Sequence, residues 1–206
     1  MYRGVFLYTS YKKGMIDVIK SIYVSGYRPH ELGIFTNSHP GLPIIKRAIT
    51  ERLEQLLEAG LEWVIISGQP GVETWTAEVV IELKKEYEQL KLAIITPFLN
   101  MEENWKDDKK QTYHYIFSEA DFVSAASKKP YEAPWQFVEK DKFILENTEG
   151  LLLVYDEENE ASPKYLLRLA RQYQEHVEDY ELLMINAYDL QMIAEDIQQS
   201  EWDDFY

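Results

Sequence analysis

Three short stretches of this 206-residue chain concentrate the residue types that hold charged ligands. The first is SGYRP, in which Gly26, Tyr27 and Arg28 directly follow an apolar run. A glycine there lets backbone approach a ligand closely, and an arginine can reach an anion. The second is SGQPGVE, which places Ser67, Gly68, Gln69 and Gly71 between a buried run and a helix that starts near Val72. A helix N-terminus presents unpaired N–H groups and a partial positive charge, an anion seat that needs no lysine. Glu73 falls in the first turn of that helix, and its type supports two readings. The macrodipole favours an acid there whatever the function, and an acid beside a nucleotide can also accept the ribose hydroxyls. The third is Ser162-Pro163, a serine ahead of a proline at a helix start, which reads as an N-cap able to donate to a phosphate.

Aromatic residues accompany these stretches. Tyr27, Trp75 and Trp135 sit in or beside candidate ligand loops, where a ring stacking on a base is worth about 1 to 3 kcal/mol. Packing is the ordinary role of any one of them, and Trp63, which opens an apolar run, reads as core. Asn104 and Trp105 lie in the polar segment MEENWKDDKKQ, which reads equally as a lid or as a surface loop. His30, His39, His114 and His176 show no metal-ligand spacing, so no metal is expected. Lys128, Lys129 and Lys140 are read as mainly solvated.

The elements that must position these residues follow from hydrophobic periodicity. Apolar runs at 21–25, 63–67, 92–96, 121–126, 150–155 and 181–186 read as six strands. Between the first two, Ile44, Ile45, Ala48, Ile49, Leu53, Leu56 and Leu57 form one apolar stripe that ends at Gly60. Similar stripes cover about 72–88, 109–119, 136–147 and 161–175. Continuously apolar strands alternating with helices imply an α/β domain of three layers, Rossmann-like, with a mainly parallel central sheet. In such sheets ligands sit beyond the carboxyl ends of the strands, where the three stretches fall. Residues 1–20 read as an N-terminal extension, frayed or forming an added strand, with Met15 an alternative start; residues 21–206 read as one domain.

Composition limits the partners. Lys and Arg total 21 against 36 Asp and Glu, a formal charge of −15, which disfavours nucleic acid and anionic membrane surfaces. There is no cysteine, so disulfides, thiolate nucleophiles and cysteine-held metals are excluded. No apolar run approaches the roughly 18 residues of a membrane span. The expectation is a cytoplasmic protein without a membrane partner.

The loop SGQPGVETWTAEVV resembles the S-G-x-x-x-G-[IV]-[DE]-x-x-A signature of the SLOG superfamily, which includes Smf/DprA and LOG-like proteins, shortened by one residue before its second glycine. The strand entering Gly26 and Arg28 is similar to that superfamily's V-G-S-R, Phe137 to Lys142 resembles its F-x-x-R-N-R helix, and Ser162 stands where it carries S-G-S. GYRPHELGIF, EWVIISGQPGVETW, ITPF, PYEAPWQF and EGLLLVYDEENEASPKY together resemble the YpsA family of Gram-positive bacteria. That resemblance implies a SLOG-type domain binding a nucleotide or an ADP-ribose-like derivative, with no required cofactor, linked to control of cell division. Division proteins are the implied protein partners, and a homodimer is common in the superfamily. On this reading the ligand contacts are Gly26, Tyr27, Arg28, Ser67, Gly68, Gln69, Gly71, Glu73, Trp75, Trp135, Phe137, Lys140 and Ser162.

Two alternatives accompany it. LOG-type members hydrolyse nucleoside monophosphates with an arginine and a glutamate in P-G-G-x-G-T-x-x-E; here Lys140 and DEENEASPK stand in those places. Lysine is a poor substitute for a bidentate arginine, and Glu157, Glu158 and Glu160 oppose a nearby phosphate. A phosphoribohydrolase-like activity is therefore disfavoured, with Glu73 its catalyst if one exists. DprA-like DNA binding is disfavoured because Lys140 and Lys142 stand where two of those members' arginines would, with Glu139 and Asp141 beside them. The other alternative is a protein-interaction module without a ligand.

Overall fold

A computed structural model describes residues 18–203. The expectation of an N-terminal extension falls mainly on residues 1–17, outside the described residues. Six strands, β1 (Ser21–Gly26), β2 (Trp63–Ile66), β3 (Lys91–Thr96), β4 (Phe122–Ala125), β5 (Gly150–Val154) and β6 (Glu181–Ile185), form one sheet in the order β4-β3-β2-β1-β5-β6. Every pairing is parallel; Tyr23, for example, is in register with Ile65 on one side and Leu151 on the other. The central strands are buried on both faces, which is why they read as unbroken apolar runs.

The crossover helices are α1 (Gly41–Ala59), α2 (Val72–Leu83), α3 (Asp107–Glu119), α4 (Trp135–Leu145) and α5 (Pro163–Gln174), and α6 (Ala187–Asp203) follows β6. The helices form two rows, α6, α1, α2 and α3 packing in one and α4 on α5 in the other, the arrangement that crossovers of one hand give on either side of a reversal in strand order. The fold is the three-layer α/β arrangement that the periodicity predicts.

Two differences have physical causes. The stripe expected to run to residue 88 stops at Leu83, and the polar segment from Lys84 to Gln89 turns the chain into β3. Helix α6 was not among the expected elements, although Leu190 and Ile193 carry its apolar face onto the core, and Asp196 pairs with Arg47 of α1. Its acids and glutamines dilute the stripe, and its contacts lie at the far end of the chain from α1.

The chain leaves β1 toward β2 and later returns to β1's other side as β5, so the strand order switches between β1 and β5. Crossovers on opposite faces diverge there and open a crevice at the carboxyl edge.

Candidate functional site

The crevice is a cleft of about 150 Å³. Strand β1 contributes Tyr23, Ser25 and Gly26, and the loops after β1 and β2 contribute Arg28, Gln69 and Pro70. Glu73 enters from α2, Phe137, Lys140 and Asp141 from α4, and Ser162, Pro163, Tyr165 and Leu166 from the start of α5. Of the residues singled out in the sequence, Gly26, Arg28, Gln69, Glu73, Phe137, Lys140 and Ser162 therefore meet at one place.

The loop after β2 is built around its own acid. One oxygen of the buried Glu73 carboxylate accepts from the Ser67 backbone N–H at 2.8 Å, the Ser67 hydroxyl at 2.6 Å and the Gln69 N–H at 3.1 Å. The other accepts from the Ser25 hydroxyl at 2.7 Å. The N–H of Val72 donates to the Tyr27 carbonyl at 3.1 Å, and that of Gly71 to the Thr74 hydroxyl at 3.1 Å. The donors expected to cradle a phosphate are thus turned inward, with Glu73 as the resident anion. Gly71 has φ +109°, and a Cβ there would stand 2.5 Å from the Tyr27 carbonyl oxygen. The glycine serves the close approach of one loop to another, and neither Gly68 nor Gly71 lines the cleft.

The floor holds a second polar group. Lys140, buried beneath α4, donates to the Tyr23 hydroxyl at 2.8 Å and forms an ion pair with Asp141. Tyr23 in turn donates to Asp141 at 2.9 Å. Burial, with the charges of Asp141 and Glu73 adding to it, pushes the Tyr23 hydroxyl well above its ordinary value, so it stays a donor at neutral pH. Lys140 is therefore anchored, contrary to the reading of a mainly solvated lysine. Its partner on β1 is remote in sequence, which the local pattern cannot reveal.

Ser162 also differs from expectation. It precedes α5, but its side chain makes no capping hydrogen bond within the helix. Its backbone N–H donates at 2.8 Å to Glu31, which lies in a 3₁₀ turn, Pro29–Leu32, and also accepts from the Arg28 N–H at 2.7 Å. Burial raises the Glu31 carboxyl, but the hydrogen bonds from Arg28 and Ser162, with His30 nearby, outweigh it and hold the group below its usual range. Glu31 thus occupies the anion seat at the start of α5.

The expected stacking residues disperse. Trp75 is 7% exposed and belongs to the core. Tyr27 is buried, its hydroxyl donating to the carbonyls of Asp156 at 3.1 Å and Asn159 at 2.9 Å. Trp135 is exposed but does not line the cleft, and Ser67 is buried and does not line it either. The aromatic walls are instead Phe137 and Tyr165. Tyr165 escaped sequence reading because one tyrosine in an amphipathic helix carries no signal of its own, and Tyr23 because it lies in an apolar strand.

Trp105 belongs to an aromatic cluster behind Phe137, where it meets Tyr113 edge-on at 5.2 Å and packs near Phe98 and Met101, while Asn104 is exposed; neither lines the cleft. Among the described residues no group of three His, Asp or Glu is placed to hold a metal ion, and no helix is long and apolar enough to cross a membrane.

An all-parallel doubly wound sheet with a polar cleft at its switch point defines a Rossmann-like domain of the SLOG type. Residues 22–190 match the YspA SLOG family model, and the chain belongs to this YpsA family. A UPF0398 protein of Lysinibacillus sphaericus is 65% identical over 179 residues, covering 87% of this chain and 99% of that one. A UPF0398 protein of Brevibacillus brevis is 55% identical over 189 residues, covering 92% and 100%. Among solved structures, DNA processing protein A of Helicobacter pylori, described for its single-stranded DNA binding mode, aligns with a TM-score of 0.53. It is 15% identical, with 82% of this chain and 66% of that chain covered, a likeness of fold.

Proposed function

We propose that this protein is a regulatory domain that binds a phosphorylated nucleoside, a nucleotide or an ADP-ribose-like derivative, in the cleft between β1 and β5. The observation that carries this reading is Arg28. Arg28 lines the cleft, and its guanidinium forms no ion pair among the described residues. A phosphate on Arg28 would satisfy it, and the floor of Ser25, Gln69 and Lys140 offers donors and acceptors for ribose hydroxyls, with Glu73 holding the loop beneath them. The link to cell division, and division proteins as partners, rest on the family resemblance, as does a homodimer.

Hydrolysis is the weaker reading of the same cleft. A general base or nucleophile needs a lone pair directed at its target, whereas the Glu73 oxygens already accept four hydrogen bonds. Single-stranded DNA, the ligand named for the Helicobacter protein, is disfavoured by a formal charge of −15 and a cleft whose four charged residues are two of each sign.

Calorimetric and thermal-shift titrations with AMP, ADP-ribose and NAD test the proposal. Saturable binding of at least one at micromolar to millimolar concentration is expected, with no release of free base. Absence of binding by all three at millimolar concentration would overturn it and leave a ligand-free interaction module as the better account.

A further inference from the structure

The sequence pointed to Trp75, Tyr27 and Trp135 as stacking surfaces, and none of the three presents a ring to the cleft. Apart from Tyr23, whose hydroxyl is held in the floor, the aromatic side chains that line the cleft are Phe137 on α4 and Tyr165 on α5. Phe137 is half-buried and braced from behind, edge-on to Phe98 at 5.6 Å and near Tyr131 at 6.3 Å. It therefore forms a fixed wall. Tyr165 differs, because it lines the cleft yet is 60% exposed. No hydrogen bond of its side chain restrains it among the described residues, and its ring neighbours are the Lys164 ammonium and the Arg168 guanidinium, each 5.6 Å from the ring centre.

The two cations are unequal. Lys164 is paired with Glu160 at 2.7 Å, whereas Arg168 forms no ion pair among the described residues. Arg28 thus lines the cleft without an ion pair among the described residues, and Arg168, outside the cleft lining, edges the exposed Tyr165 ring that does line it, in a chain whose net charge is −15. Such a rim suits a ligand that joins a flat heterocycle to an anionic group. An arginine next to a stacked ring adds attraction of its own to the π system.

We infer that Tyr165 is the base-stacking platform of the cleft, and that its ligands are nucleosides bearing phosphate rather than sugar phosphates alone. This rests on the nucleotide reading above and assigns the base to the α5 side of the site. The phosphate meets Arg28, the sugar faces the polar floor, and the base lies over Tyr165 with Phe137 as the opposing wall and Arg168 at its edge.

The experiment compares AMP with ribose 5-phosphate by calorimetry, on the full chain and on Tyr165→Ala and Tyr165→Phe. Tyr165 is a surface position of a regular helix, so both variants should fold, as circular dichroism would check. The full chain should bind AMP more tightly than ribose 5-phosphate. Tyr165→Ala should weaken AMP by roughly ten- to hundred-fold while leaving ribose 5-phosphate unchanged, and Tyr165→Phe should restore AMP binding. Three results would overturn the inference while sparing the nucleotide reading: AMP held equally by Tyr165→Ala and the parent, equal losses of both probes, or a parent that does not prefer AMP. A parent that binds neither AMP, ADP-ribose nor NAD overturns both.

Discussion

The loops after β1 and β2 look alike in sequence, each a strand running into glycine at the sheet's carboxyl edge, yet they have opposite chemistry. The β2 loop closes on itself, with its backbone donors and two serines converging on Glu73. The β1 loop gives its backbone to its neighbours, through Tyr27 and Glu31, and leaves the Arg28 side chain facing the cleft. A glycine reports that something approaches closely, and only the structure says what. At Gly71 it is the Tyr27 carbonyl, and at Gly26 the Val154 carbonyl, 2.6 Å from where a Cβ would stand. The loop that resembles the superfamily's phosphate signature is therefore the frame of the site, and the plainer loop carries its open cation.

The contrast can be broken most directly at Glu73. Glu73→Ala removes the acceptor of two backbone N–H groups and two hydroxyls in a buried setting. At about 1 to 3 kcal/mol for each buried unsatisfied group, relieved in part by water entering the gap, the loss of stability should be about 4 kcal/mol. Urea unfolding measures it; a change below about 1 kcal/mol, with nucleotide binding abolished, would make Glu73 a ligand contact instead of the loop's anchor. Next comes Gly71→Ala, which combines a positive φ with a backbone clash and should cost about 3 kcal/mol. Its control is Gly33→Ala, also at positive φ (+67°) but with nothing within 4 Å of the added methyl, expected to cost about 1 kcal/mol. Equal losses at the two positions would show that backbone conformation, and not loop-on-loop contact, makes Gly71 necessary.

Arg28→Gln tests the other side. The side chain is exposed and unpaired among the described residues, so stability should change by less than about 0.5 kcal/mol. Loss of a charge-assisted contact should weaken AMP by about ten-fold or more in calorimetry. Unchanged AMP affinity would move the phosphate away from the β1 loop.

What could be read in advance follows from the range of each interaction. Strands β1, β2, β3 and β5 lie between other strands and are covered on both faces, so local apolar content was enough to find them. Gly26, Arg28, Gln69 and Glu73 sit at strand ends or in the first turn of a helix, positions set by local pattern. Tyr23 with Lys140 and Asp141, or Glu31 with Ser162, are pairs joined across more than a hundred residues, and each member alone looks like core or surface. Trp75 was misread for the converse reason: it lies near the right loop in sequence, but helical geometry turns it into the core. The family motif located the cleft without showing which of its donors were already taken.

The smallest expected effect concerns the bridge that ties the β1 loop to α5. Glu31 is held below the usual carboxylate range in the folded chain, so it binds its proton less readily there than when unfolded. Its contribution to stability is accordingly complete above the unfolded value of about 4.3 and fades as pH falls through the lower folded value. Glu31→Gln keeps the size of the side chain but replaces one acceptor oxygen with an NH₂ that cannot receive the Arg28 or Ser162 N–H. The variant should be less stable than the parent by about 1 kcal/mol at pH 7, and the gap should shrink as pH falls below the unfolded value of about 4.3 and through the lower folded value, where Glu31 itself becomes neutral. Urea melts of both proteins at pH 7 and through that acid range check this as a difference, which removes the acid sensitivity that the many other carboxylates share. A gap independent of pH would mean that the bridge acts through packing alone, and the two loops would then differ in their side chains but not in how charge fastens them to the helices.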